Sequence, residues 1–435
     1  MDPGPVKIFT SSDVPRLRYI AGILLGDILG IEWEIITDKR KLGKNPVINY
    51  SDETLKGAFS VQPHPLLFES GADRQEISVT EWKGLPVFFQ CPSGSDLPFD
   101  IFAAAFYMIS RYEEYLPFKA DEFGRFSAHS SLAWENGFLH RPIVDLWVKE
   151  WSRLLIVKFQ NLVFRKNSFR SLVTIDVDQP FEFLGKDVFR NLGGFFKEIG
   201  KKSGKAGERY RIVTKGEKDP WDVFDFIFKA IDESKNEARF FIPTGERTKY
   251  DVQPSWSNEE YRKLVKKIAG RYQTGLHPSF YASEDKEKLK AEKERLEKII
   301  NAKIESSRFH FLRLRFPVSY ANIYTSGITE DYSMGFADEP GFRAGIARPF
   351  PYYNLQSEKA TKLRIFPFQI MDATLYRYKN LTPEGAAEVV SGLIDETRSV
   401  GGLFMTIWHN TSLLETGEWH GWRGVFESML KLQKQ

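Results

Sequence analysis

Two carboxylates, Asp176 and Asp178, stand two residues apart at the end of the apolar run Leu172-Val173-Thr174-Ile175-Asp176-Val177-Asp178. Strand side chains alternate, so this spacing predicts Thr174, Asp176 and Asp178 on one face and Val173, Ile175 and Val177 on the other. Like charges side by side at a buried strand end require a cation, an arginine partner or a raised pKa. The plainer alternative is a polar strand end whose acids cap a following helix. Histidine placement shifts that balance. His277, in Gly275-Leu276-His277-Pro278, and His409, in Thr406-Ile407-Trp408-His409-Asn410, also end apolar strands, and His310 lies in Arg308-Phe309-His310. Neutral imidazole binds divalent metals and serves as acid or base near neutral pH. A lone histidine at a strand end is more often a hydrogen-bonded structural residue, but several of them sharing a rim with an acidic pair weaken that reading.

Other groups are less specific. Asp331-Tyr332 follows a predicted strand and reads as an orienting group for His409, a substrate contact, a helix cap or a turn, and Asp372 has the same ambiguity. Arg343 and Arg348, around Gly345, either bind an anionic substrate group or form surface pairs. Trp408, Trp419 and Trp422, with Tyr352 and Tyr353, either stack on sugar faces or fill an aromatic core. Asp331, Tyr332, Arg343 and Trp408 are the candidate substrate contacts. His64, His129 and His140 lack recognisable ligand spacing.

The elements that must position these groups are strands whose carboxyl ends share one rim. From Ser171 onward apolar strands alternate with amphipathic helices, the pattern of a parallel sheet with helices packed outside it. Predicted strands are 171–178, 238–242, 274–277, 309–314, 328–332, 363–372 and 403–409. Predicted helices are 221–235, 258–271 (with a Ser257/Glu260 capping box), 284–300, and 383–399 with Pro383 at its first position. This makes about seven β/α units, close to the count of a closed barrel, in which catalytic groups collect at the strand carboxyl ends. Residues 187–220 fit no unit and read as an insertion, helical near 188–199 and loose afterward.

The 435 residues suggest two domains, at roughly 100–200 residues per domain. The boundaries expected are 1–165, a smaller mixed α/β domain, and 166–435, a distorted (β/α)7-type barrel. Within the first, 100–115 has helical periodicity, with polar Arg111, Glu113 and Glu114 marking its end. With 42% hydrophobic and 27% charged residues the chain is of ordinary globular composition. A net charge of +3 gives little reason to expect nucleic acid, and the basic stretch Lys201 to Lys218 reads as a solvated connection. The single cysteine, Cys91, excludes an internal disulfide and a cysteine-rich zinc site, so any metal must use His, Asp or Glu. The apolar run 19–31 is interrupted by Asp27 and is too short for a membrane span, which takes about 20 residues. A cytoplasmic protein without a transmembrane segment is expected.

The segments Thr174–Asp178, His277 and Ile407–His409 resemble, in order and spacing, the successive motifs of the polysaccharide deacetylase (NodB-homology) superfamily across residues 170–430. Gly275–Phe280, Arg308–Pro317, Asp331–Phe336, Phe342–Arg348 and Pro367–Leu375 resemble a subfamily that also carries an uncharacterised N-terminal domain, with Arg111–Leu116 and Pro142–Trp147 similar to parts of it. The resemblance implies a divalent metal, zinc first among them, held by Asp178 and His277. It further implies Asp176 as general base, His409 as the acid on the leaving group, and an arginine orienting Asp176, for which Arg315 is favoured over Arg313. The implied substrate is an N- or O-acetylated saccharide or glycoconjugate. One position departs from the pattern. Tyr281 stands where a second metal-binding histidine is usual, and tyrosine is a poor zinc ligand. His310 would then complete an Asp178/His277/His310 set, or the chain is a catalytically silent carbohydrate-binding or assembly protein.

Overall fold

The computed structural model describes residues 4–185 and 205–433. β1 (Val6–Thr10), β2 (Trp33–Ile36), β3 (Val47–Tyr50) and β4 (Phe59–Ser60) form a parallel sheet in the order β2-β1-β3-β4. β5 (Thr80–Trp82) and β6 (Leu85–Val87) follow as a small antiparallel pair. The helix expected over 100–115 is shorter. It runs Ile101–Ile109, with the Asp100 carboxylate accepting hydrogen bonds from the N–H groups of Phe102 and Ala103. Arg111 then turns left-handed, at φ 55°, and a 3-10 turn spans Tyr112–Tyr115. The break has an electrostatic reason. Arg111, Glu113 and Glu114 are buried, and the turn folds the Arg111 guanidinium onto both carboxylates at 2.6 and 2.8 Å. Glu114 also binds Arg343, so residues expected to mark a polar helix end instead join two distant parts of the chain.

The second sheet has nine strands: β7 (Arg170–Asp176), β8 (Glu237–Ile242), β9 (Gln273–Leu276), β10 (Ser306–Ser307), β11 (Glu330–Asp331), β12 (Phe350–Asn354), β13 (Lys359–Ile365), β14 (Ile370–Met371) and β15 (Leu403–His409). Their order is β12-β13-β11-β10-β9-β8-β7-β15-β14. Only β12 and β13 pair antiparallel. Among the described residues the edge strands β12 and β14 do not pair, so the α/β architecture expected is present as a large, mostly parallel sheet without a closing ladder.

β7 shows why the central strands read as unbroken apolar runs: it is buried on both faces. Val173, Ile175 and Val177 join the main core with helices such as Phe224–Ser234 and Trp422–Leu432, while Leu172 joins Phe241, Met405 and Ile407 in a smaller inner cluster. Helix Pro383–Ser399 begins and ends as expected, capped by Thr382. The helix expected from residue 258 runs Glu259–Ala269, and its cap is the Asn258 side chain, which accepts from the Tyr261 N–H in place of the expected Ser257.

Three expectations are corrected. The strand placed at 309–314 is the two-residue β10, after which the chain turns through His310–Leu312. The strand placed at 363–372 is two, β13 and β14, and β12 was not anticipated. Within the insertion, residues 205–215 form a helix in place of a loose connection, and the helix expected near 188–199 lies outside the described residues. Among the described residues no helix is long and apolar enough to cross a membrane.

Candidate active site

Because β7, β8, β9, β10 and β15 run parallel, their carboxyl ends meet along one edge of the sheet. Asp176 closes β7 and Asp178 follows it. His277 follows β9, Arg308 and His310 follow β10, and His409 closes β15 directly beside Asp176. Asp176, Asp178, His277, His310 and His409 share a pocket of about 210 Å³ that also includes Phe309, Phe311, Leu312, Met371, Tyr378 and Trp419.

Each imidazole is anchored through Nδ1 and presents Nε2 to Asp178. His277 Nδ1 lies 2.6 Å from the Arg308 carbonyl oxygen, which can only accept, so Nδ1 carries the hydrogen. His310 Nδ1 is 2.8 Å from Asp251 and His409 Nδ1 is 2.7 Å from Asp372, whose second oxygen accepts from the His409 backbone N–H. The three Nε2 atoms lie 3.2, 3.6 and 3.7 Å from Asp178 oxygens, for His277, His310 and His409 respectively. Outer partners of this kind fix tautomer and ring orientation in metal-binding histidines.

Asp178 Oδ1 and His277 Nε2 are buried, face each other, and make no hydrogen bond. With the His277 hydrogen on Nδ1, two lone pairs point at one another, which is costly unless a cation lies between them or Nε2 takes a second proton. The donor atoms of Asp178, His277 and His310 all fall within 4.8 Å of one another. Two nitrogens and a carboxylate oxygen suit zinc, and three protein ligands leave a position for water. The residues present therefore fit a divalent cation. Tyr281 takes no part. It is exposed and its ring packs against Tyr250 and Phe280, outside the residues lining the pocket.

Charge state follows the same geometry. Burial disfavours the Asp178 carboxylate, but His310 and His277 outweigh it and hold the group well below the usual carboxylate range. Burial likewise opposes a charged His310, yet Asp178 and Asp251 raise it to about 9. For His409, Asp372 and then Asp178 overcome burial and raise it to about 10. A histidine raised by folding contributes stability that is whole below its unfolded pKa of about 6.5 and is lost as pH climbs through the folded value. The chelated protein is therefore expected to lose thermal stability steadily from pH 6.5 toward 10, with Asp178→Asn flattening that slope. A melting temperature constant across this range would contradict the assigned ion pairs.

The guanidinium on Asp176 belongs to Arg308, at 2.8 Å with both side chains buried. Arg315, favoured from the sequence, is two-thirds exposed and pairs with Glu284, as does Arg313. The two-residue length of β10 accounts for the difference, since the strand ends before Arg308 and not near residue 314. Alternation held a usable signal: Arg308 and His310 are two apart, on one side of an extended chain. Asp251 carried no such signal, because it lies in a loop distant in sequence.

The four candidate substrate contacts lie elsewhere. Asp331 is buried beneath Ser307 and Ser333, and burial raises it to about 6. Tyr332 stacks on Phe366 within the inner cluster, Arg343 is committed to Glu114, and Trp408 is buried against Phe426. None lines the pocket. Of the other aromatic candidates, Trp419 does line it, whereas Trp422, Tyr352 and Tyr353 are core residues. Arg348 pairs with Asp145.

Residues 6–160 match a family of unknown function, DUF7033. No curated protein sequence matches the chain. Among solved structures, a proposed polysaccharide deacetylase from Mycobacterium smegmatis is 11% identical, with a TM-score of 0.39, over 61% of this chain and 85% of that one. A polysaccharide deacetylase from Bacillus cereus is 11% identical, with a TM-score of 0.30, over 62% and 88%. A pseudoenzyme of the CE4 family from Bacillus anthracis is 10% identical, with a TM-score of 0.31, over 62% of each chain. At these values the likeness says nothing about activity here, and the functional argument rests on the site's own geometry.

Proposed function

We propose that the chain is a metal-dependent hydrolase of the polysaccharide deacetylase type, removing acetyl groups from an N- or O-acetylated saccharide or glycoconjugate. The observation that carries this reading is the buried pair Asp178 Oδ1 and His277 Nε2, two acceptor atoms aimed at one point with His310 Nε2 beside them. Asp178, His277 and His310 would hold the cation. Bound there, a zinc ion would polarise the acyl carbonyl and lower the pKa of water.

The protein's own groups supply the proton transfers. Asp176, oriented by Arg308, is placed to accept a proton from the attacking water. His409, beside Asp176 on the neighbouring strand, has Nδ1 engaged by Asp372, which leaves Nε2 free to deliver a proton to the departing nitrogen or oxygen. An acid held protonated and a base held by a guanidinium, on one pocket, have opposite tasks in amide or ester cleavage. Acetate and an amine or alcohol are the products. A cytoplasmic site of action, with a saccharide as the only partner required, belongs to this reading.

The test is acetate release from a panel of N- and O-acetylated sugars by protein loaded with zinc, with a chelated control. Release that disappears on chelation and returns with metal is expected. A protein that binds no metal and frees no acetate from any substrate is instead the silent carbohydrate-binding protein that Tyr281 alone would suggest.

A further inference from the structure

Helix Ile143–Lys158 buries one stripe, which includes Trp147, Val148, Trp151 and Leu155, and its last residues run past that stripe. Ile156 is 45% exposed and Val157 is 78% exposed. The chain then reverses, with the Leu162 N–H donating to the Phe159 carbonyl at 3.0 Å. Beyond the turn burial alternates: Leu162 and Phe164 pack on the core, while Val163 and Arg165 face outward. Val163 is 82% exposed. Val157 and Val163 are thus the most exposed large apolar side chains among the described residues, and they flank one turn.

Cations crowd the same stretch. Residues 149–170 hold Lys149, Arg153, Lys158, Arg165, Lys166 and Arg170 against a single acid, Glu150, in a chain whose overall charge is only +3. Arg165 donates to the Asp27 carbonyl at 3.4 Å, and neither it nor Lys166 forms an ion pair among the described residues. Lys158 and Arg170 are held by surface pairs, with Asp96 at 3.7 Å and Glu237 at 3.1 Å, and such pairs are worth little. Arg165, Lys166 and Arg170 line one basin of about 830 Å³, whose only acids, Glu237 and Glu330, are each already paired with an arginine.

That basin lies at the far end of the large sheet from the candidate active site. Arg170 pairs with Leu403 where β7 and β15 begin, and Asp176 with His409 where they end. At about 3.3 Å per residue the two ends are roughly 20 Å apart.

Exposed aliphatic side chains rimmed by unpaired cations match a surface of negative headgroups over hydrocarbon. A protein partner would have to supply a carboxylate at a fixed place for each cation it buried, and protein interfaces are depleted in lysine. A bilayer needs no such register.

We propose that residues 153–170 dock the protein on an anionic phospholipid membrane. Val157 and Val163 enter the headgroup boundary, and Lys158, Arg165, Lys166 and Arg170 pair with lipid phosphates. The catalytic rim then faces away from the lipid. This goes beyond the hydrolase reading and does not depend on it.

The probes are vesicles of phosphatidylcholine alone and of phosphatidylcholine with phosphatidylserine at roughly seven parts to three, given to the full chain and read by co-sedimentation. Binding to the mixed vesicles only, weakening as salt rises, is expected. Arg165→Glu with Lys166→Glu should lower the partition coefficient at least about twentyfold, at about fivefold per cation lost. Val157→Ser with Val163→Ser should lower it about tenfold and leave the salt dependence unchanged. All four side chains are exposed, so both variants should melt as the wild type does.

Failure of the wild type to bind mixed vesicles, or equal binding to both kinds, overturns the proposal. Undiminished binding by the serine variant does so too, since the patch would then be a general polyanion site. A dimer in solution that the serine variant dissociates also overturns it, by giving the valines a second copy as their partner. Acetate release from a soluble sugar should be the same with and without vesicles, and inhibition by vesicles would put lipid at the catalytic rim and overturn the docking face. Absence of acetate release under all conditions overturns the hydrolase reading alone, because vesicle binding is scored without it.

Discussion

Asn in place of Asp176 lowers acetate release by about 10²–10⁴-fold, the usual worth of a positioned general base, and weakens the fold as well. Both effects come from one carboxylate. Its Oδ1 meets the Arg308 guanidinium 2.8 Å away in a fully buried pair. Removing one partner of such a pair costs about 3–5 kcal/mol, because the surviving charge stays buried without compensation. Asparagine keeps an oxygen for Arg308 to donate to, so the loss should fall below that range, whereas Asp176→Ala should reach it. Urea denaturation and acetate assays on the two variants separate the roles. Equal loss of activity with unequal loss of stability is expected. An Asp176→Asn protein that retains more than a tenth of wild-type activity would remove Asp176 from the chemistry and leave it only as the counter-ion of Arg308.

How much of this was visible beforehand follows from where each signal lies. The acidic pair and His409 were legible because they close strands buried on both faces, whose apolar runs are long enough to fix the strand's end, and His277 because it follows the buried Gly275 and Leu276 that close β9. β7 and β15 have seven residues each, and their register pairs Asp176 with His409. β10 has two residues, too few for periodicity, so its end was misplaced and Arg315 was preferred to Arg308. His310 was recognised by residue type and not by position. Asp251 and Arg125 could not be found at all, since they reach the site from loops whose placement depends on long-range packing. The aromatic and charged candidates failed for a different reason: burial, of Tyr332 in the inner cluster and of Trp408 against the outer helix, gives both the same local pattern as a ligand-facing residue.

The histidine that was recognised only by type decides whether the site is intact. His310→Ala is expected to reduce zinc affinity by more than about 100-fold, since loss of an outer hydrogen-bond partner alone costs 10–100-fold. Asp251→Asn should fall within that smaller range, because it loosens the His310 ring held at 2.8 Å without removing a ligand. Tyr281→Phe should change nothing, as its ring packs against Tyr250 and Phe280 on the exposed side. This ordering carries its own control for misfolding. The alanine variant removes a positive charge from beside Asp178 and Asp251, so the metal-free protein should lose the part of its pH-dependent stability that depends on His310. Elemental analysis and competition with a chelator measure the affinities, and thermal melts measure the rest. If His310→Ala binds zinc as the wild type does while Tyr281→Phe does not, the assigned ligand set is wrong.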